Sequence, residues 1–97
     1  MIDRLSDPQI EKSLQTLTGW DRKENKHAIH QSFKFKDFKE AWDFMSKIAQ
    51  LAEEMDHHPE WSNIYNRVDI TLTTHDAKGI SERDIKMAEV INTYKKA

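Results

Sequence analysis

The chain has no cysteine. That excludes disulfides and thiolate metal sites and removes one catalytic nucleophile. Glycine and proline occur only twice each, so there is no Gly- or Pro-rich linker, low-complexity segment or internal repeat. No apolar run approaches the roughly 20 residues that a membrane helix needs. The opening "MIDRLSDPQI" alternates charge without an apolar core, so no signal peptide is read there. A cytoplasmic location is the expectation, with the nucleus also open in a eukaryote. Charge of one sign is lacking too. A formal net charge of −2 gives no electrostatic case for nucleic acid or an anionic membrane as partner.

What is present fits one soluble domain over residues 1–97 with a single modest core, since domains usually run to about 100–150 residues. Hydrophobic residues make up 37% and charged residues 33%, a balance that implies a heavily solvated surface. "LSDPQIEKSLQTL" (residues 5–17) predicts a helix, with Ser6 as N-cap, Pro8 in the first turn and Ile10, Leu14 and Leu17 as an apolar stripe. Gly19 breaks that helix and Trp20 begins extended chain. "WDRKENKHAIHQSFKF" reads as a β-hairpin turning near Glu24 to Lys26. Its second strand sets Ile29, Phe33 and Phe35 on one face and His30, Lys34 and Lys36 on the other.

Residues 37–56 carry the strongest helical pattern. Phe38, Ala41, Trp42, Met45, Ile48, Ala49, Ala52 and Met55 recur at spacings of three and four, as one buried face would require. Residues 61–65 and 67–74 read as strands, the latter with Val68, Ile70 and Leu72 inward and Asp69, Thr71 and Thr73 outward. "ISERDIKMAEVINTYKK" predicts a last helix with Ile85, Met87, Ala88, Ile91 and Tyr94 inward and lysines in its final turn. The order α-β-β-α-β-β-α predicts an α+β fold, a four-stranded antiparallel sheet with three helices packed on one face. The open face and edges of such a sheet make a homo-oligomer an expectation.

"EEMDHHPEWSNIY" (residues 53–65) holds the adjacent pair His57 and His58 where the long helix must end. Three readings fit. Imidazole ligates zinc, and His57, His58 and His75 supply three nitrogens. However, neighbours in extended chain point to opposite sides, and the HExxH spacing is missing. Helix termination is the second reading. Pro59 pushes residue 58 out of the α region, and a cationic imidazole at a helix C-terminus gains ~0.3–1 kcal/mol from the macrodipole. Acid–base chemistry is the third, because histidine's ordinary pKa of ~6.5 lets it give and take protons near neutrality. Glu53, one helical turn before His57, is placed to orient it. His75 follows "TLTT" at a strand end, where the sheet holds the backbone and the loop exposes the side chain. "SERD" (residues 81–84) matches a capping box in which Asp84 binds the backbone N–H of the cap residue.

"FKFKDFK" (residues 33–39) interleaves aromatic and basic residues as an RNA-binding sheet does. Ordinary strand alternation yields the same pattern, and the negative overall charge favours that explanation. The three tryptophans read as core, with Trp61 beside the histidines the one candidate for stacking on a ligand ring.

Glu53, His57-His58-Pro59, Trp61, Tyr65, "THD" at 74–76 and "SERD" at 81–84 together resemble the signature of the pterin-4a-carbinolamine dehydratases. The resemblance extends through "GW" at 19–20, "FKFKDF" at 33–38, "PEW" at 59–61 and "GISERDI" at 79–85, and so covers most of the chain. It implies a hydro-lyase that removes water from 4a-hydroxytetrahydropterin to give quinonoid dihydropterin. Such an enzyme recycles the pterin cofactor of aromatic amino-acid hydroxylation without a metal or organic cofactor of its own. Carried over by position, His57, His58 and His75 are the family's active-site histidines and Asp84 is their associated carboxylate. Asp56 to His58 and Thr73, Thr74, His75 and Asp76 match the two segments that hold the pterin ring, and Glu53 matches the acid that opens the motif. The resemblance also implies a second role. Animal members are similar in fold and serve as dimerisation cofactors of a homeodomain transcription factor through a helical surface, a part the helix at 37–56 would play here.

Overall fold

Among the residues described by the computed structural model, 2–96 other than 24 and 26, the elements follow the expected order. They are α1 (Asp7–Leu14), β1 (Asp21–Arg22), β2 (Ile29–Lys34), α2 (Phe38–Met55), β3 (Glu60–Ile64), β4 (Arg67–Leu72), a 3-10 turn (His75–Ala77) and α3 (Glu82–Lys96). α1 starts at a reciprocal capping box. The Ser6 hydroxyl accepts from the Gln9 backbone N–H at 3.3 Å, and the Gln9 side chain accepts from the Ser6 N–H at 2.8 Å. It ends at Leu14, earlier than its apolar stripe suggests. The bonds from Thr16 N–H to Ser13 and from Leu17 N–H to Leu14 span three residues, so the chain tightens into turns that still bury Leu17. Gly19 then takes φ +87°, with a Cβ there lying 2.0 Å from the Gln31 side chain. Only glycine fits that turn.

The sheet runs β1-β2-β4-β3, antiparallel throughout, with Ile29 opposite Leu72, Phe33 opposite Val68 and Trp61 opposite Ile70. Alternation along β2 and β4 puts Ile29, Phe33, Val68, Ile70 and Leu72 in one core cluster with Ile10 of α1, Ile48 of α2 and Met87 of α3. Ser32 and Lys34 on β2 and Glu60 and Ser62 on β3 are exposed on the open face. Of the turn expected near Glu24 to Lys26, those two residues lie outside the described set; the side chain of Asn25 accepts from the His27 N–H at 2.9 Å. Tyr65, expected in a strand, instead turns the β3–β4 hairpin at φ +49°, and β4 stops at Leu72 rather than Thr74.

α2 requires a correction to the expected buried face. Ala41, Phe44, Ile48 and Ala52 are buried, but Phe38 (46% exposed), Trp42 (54%) and Ala49 are not. Two overlapping stripes run along this helix about one residue, or roughly 100°, apart, and periodicity alone cannot choose between them. Aromatic packing decides: Phe44 wedges against Phe33 and Phe35 with ring centroids 4.9 and 4.8 Å away. Phe38 and Trp42 are left stacked on each other at the surface, centroids 6.1 Å apart. Of the three tryptophans, then, only Trp20 is core, its indole N–H donating to Asn92 at 3.0 Å, while Trp61 packs half-buried against the core.

Candidate active site

The site is assembled where the C-terminus of α2 meets the N-terminus of α3. α2 stops because Asp56 adopts the left-handed conformation (φ 51°, ψ 45°), so termination precedes Pro59 by three residues. The His57 N–H then closes on the Ala52 carbonyl at 3.0 Å. From there extended chain sends the two histidines in opposite directions, as adjacency requires. His57 is buried, 7% exposed, whereas His58 is exposed.

His57 Nε2 lies 2.6 Å from Oδ1 of Asp84, a carboxylate with no solvent exposure. Asp84 sits three residues after Ser81, which immediately precedes α3. Its Oδ2 accepts from the Ser81 backbone N–H at 2.9 Å and from the Thr74 hydroxyl at 2.8 Å. Asp84 therefore caps its helix and holds His57 at once. The helix N-terminus favours negative charge there, and three donors compensate the carboxylate for its burial. Glu53, expected to orient His57, instead pairs with His58 Nε2 at 2.5 Å on the surface. After the left-handed turn at Asp56 the His57 ring meets Asp84 instead.

His75 belongs to a different wall. It opens the 3-10 turn after β4, its side chain is 84% exposed, and Nε2 lies 3.2 Å from Oε2 of Glu60 on β3. The β3–β4 register, which sets Glu60 opposite Thr71, makes that contact possible. Glu60, Thr71, Thr73, His75 and Lys78 line part of an open cleft of ≈ 330 Å³. Thr73 donates to the His27 carbonyl at 2.6 Å. Asp56 and Asp76 are exposed, whereas Thr74 is buried with its hydroxyl turned to Asp84 and Ser81. Among the described residues no three His, Asp or Glu side chains gather as a metal site needs. Two site residues escaped the sequence reading. Glu60 had no local signal beyond its place beside the histidines, and Ser81 was visible only as a cap.

The α+β fold thus holds a buried imidazole–carboxylate pair at the junction of α2 and α3 and an exposed histidine on an open cleft beside β3 and β4. The family model described as Pterin 4 alpha carbinolamine dehydratase matches residues 3–94. Proteins of Brucella ovis and Brucella canis, each named "Putative pterin-4-alpha-carbinolamine dehydratase", are 50% identical to this chain over 90 residues, 93% of either sequence. The chain belongs to the pterin-4a-carbinolamine dehydratase family, a family of hydro-lyases. A solved Brucella melitensis structure, described as a transcriptional coactivator/pterin dehydratase, superposes with TM-score 0.94 at 48% identity and covers 96% of this chain and 99% of its own. A pterin dehydratase-like protein described as a RuBisCO assembly factor in the alpha-carboxysome superposes with TM-score 0.69 at 20% identity. It covers 79% of this chain and 89% of its own, a likeness of fold alone. Among the described residues, no helix is long and apolar enough to cross a membrane.

Proposed function

We propose that this chain dehydrates a 4a-hydroxytetrahydropterin to the quinonoid dihydropterin by histidine acid–base catalysis, in the cytoplasm, and so recycles the pterin used in aromatic amino-acid hydroxylation. A carbinolamine carries hydroxyl and amine on one carbon. Losing water needs a proton on the leaving oxygen, cleavage of the C–O bond, and removal of a proton from the adjacent ring nitrogen, whose electron pair forms the C=N bond. Two imidazoles in different environments meet both needs, and such assistance is typically worth ~10²–10⁴-fold.

The observation that carries this reading is the buried contact of 2.6 Å between His57 and Asp84, which gives one histidine an environment unlike that of the exposed His75. His57 and His75 form the acid–base pair, Asp84 orients His57, and His58 with Glu53 binds substrate or stabilises charge. Asp56, Thr73 and Asp76 stand in the two segments that flank the ring. No metal or organic cofactor takes part in this scheme. The test is the dehydration rate of metal-free protein beside His57→Ala and His75→Ala. Turnover that survives chelation and collapses in both folded variants supports the reading; no acceleration by folded wild-type protein refutes it.

One observation favours a second, protein-binding role. The stacked Phe38–Trp42 pair on α2 is an exposed apolar surface that the fold does not use, and the similar Brucella melitensis protein is described as a coactivator. A homo-oligomer, dimer or tetramer, formed through this face covers the pair as well; a transcription-factor partner competes for the same surface. Size measurement with and without a charge at Trp42 separates a self-contact from a vacant surface.

A further inference from the structure

We infer that Ser81 and Thr74 are positioning residues whose hydroxyls form a one-way hydrogen-bond chain onto Asp84, and that this chain makes Nδ1 the nitrogen through which His57 exchanges protons. The catalytic consequence rests on the dehydratase reading above; the hydrogen-bond order does not.

The order follows from counting protons in a closed site. Thr74, Ser81 and Asp84 are all buried, the last two without any exposure, so their polar atoms must satisfy one another. The Arg83 backbone N–H donates to Ser81 Oγ at 3.2 Å. Ser81 Oγ and Thr74 Oγ1 are 2.6 Å apart, and Thr74 Oγ1 is 2.8 Å from Asp84 Oδ2. Each hydroxyl has one proton to give. If Thr74 gave its proton to Ser81, Thr74 Oγ1 and Asp84 Oδ2 would face each other without one. The Ser81 proton would then have no acceptor among the described residues. The chain therefore runs from Arg83 N–H to the Ser81 hydroxyl, from Ser81 to the Thr74 hydroxyl, and from Thr74 to Oδ2.

Oδ2 thus receives two donors, from Thr74 and from the Ser81 backbone, and carries no proton itself. Oδ1 faces His57 Nε2 at 2.6 Å, and because an imidazole nitrogen is ordinarily more basic than a carboxylate oxygen, Nε2 holds the hydrogen of that bond. The other ring nitrogen, Nδ1, is the one left to exchange a proton with a ligand. The same count commits the one Thr74 proton to Asp84, and burial keeps that hydroxyl out of the cleft. Thr73, which lines the cleft, keeps that role.

Two readouts test this. Nitrogen-15 spectra of the full chain with labelled histidine, recorded at rising pH until the ring is neutral, assign the tautomer of His57 without needing turnover. The expected result is hydrogen on Nε2; hydrogen on Nδ1 overturns the inference. Kinetics of Thr74→Val, which keeps shape but deletes the hydroxyl, then measure the catalytic consequence. Its kcat falls about tenfold or more, the scale typical of losing a hydrogen bond that orients a functional side chain, while KM stays within about threefold; Thr74→Ser restores kcat. The Thr74→Val protein also shows a mixture of His57 tautomers. An unchanged kcat with one fixed tautomer in folded Thr74→Val overturns the positioning role. Should Thr74→Val fail to fold, Ser81→Ala removes the first hydroxyl of the chain and is read by the same criteria. Absence of turnover in wild type sinks the dehydratase reading alone, since the spectra still decide the hydrogen-bond order.

Discussion

Replacing Asp84 by alanine is the most informative single perturbation of this fold. The side chain is wholly buried and accepts three hydrogen bonds, at 2.6 Å from His57, 2.8 Å from Thr74 and 2.9 Å from the Ser81 backbone. Hydrogen bonds to a charged group are each worth about 1.5–3 kcal/mol, but the sum overstates the loss because the donors share one acceptor. The better guide is removal of one partner from a buried pair, which costs about 3–5 kcal/mol, chiefly through the donors left unpaired. Domains of this kind hold about 5–15 kcal/mol in total, so the variant stays folded only if the wild type lies well above the lower bound. Urea unfolding, followed by the fluorescence of buried Trp20, measures the loss. Adding His57→Ala and the double variant completes a cycle, with an expected coupling of about 1.5–3 kcal/mol. Additivity within about 0.5 kcal/mol would refute the buried pair, and with it the argument for how His57 is held.

Three further outcomes follow from the same geometry. His75→Ala, at a side chain 84% exposed, changes stability by no more than about 0.5 kcal/mol while dehydration slows by ~10²–10⁴-fold. Parallel melting and activity measurements separate the two effects, and a matched loss of both contradicts the assignment. Trp42→Glu leaves the monomer fold intact, because that side chain lies outside the core. It shifts sedimentation to a smaller species if α2 pairs with a second copy, and an unchanged size removes that face as the contact. Asp56→Gly, at φ 51°, raises stability by about 0.5–1 kcal/mol because glycine adopts the left-handed region freely. A loss of stability in urea would mean that the Asp56 side chain is itself needed.

The sequence by itself determined what depends on near neighbours. Ser6 and Gln9 announce the start of α1, and "SERD" announces the cap of α3, because a cap is made within three residues. Alternation along residues 67–72 sorted inward from outward side chains correctly, since a strand repeats every two residues. Glu53, His57, His58, His75 and Asp84 were named through the resemblance of their motif to the family signature. Their pairings were not. Whether Glu53 meets His57 or His58 turns on one left-handed residue at Asp56, and the Asp84–His57 contact joins residues 27 apart in the chain. Glu60 reaches His75 only because β3 lies beside β4, and no local rule states the strand order β1-β2-β4-β3. Which stripe of α2 is buried was settled by Phe44 meeting Phe33 and Phe35 across the core. Periodicity tells how a segment can fold, whereas close packing of segments distant in the chain decides which face, and which side chain, it meets.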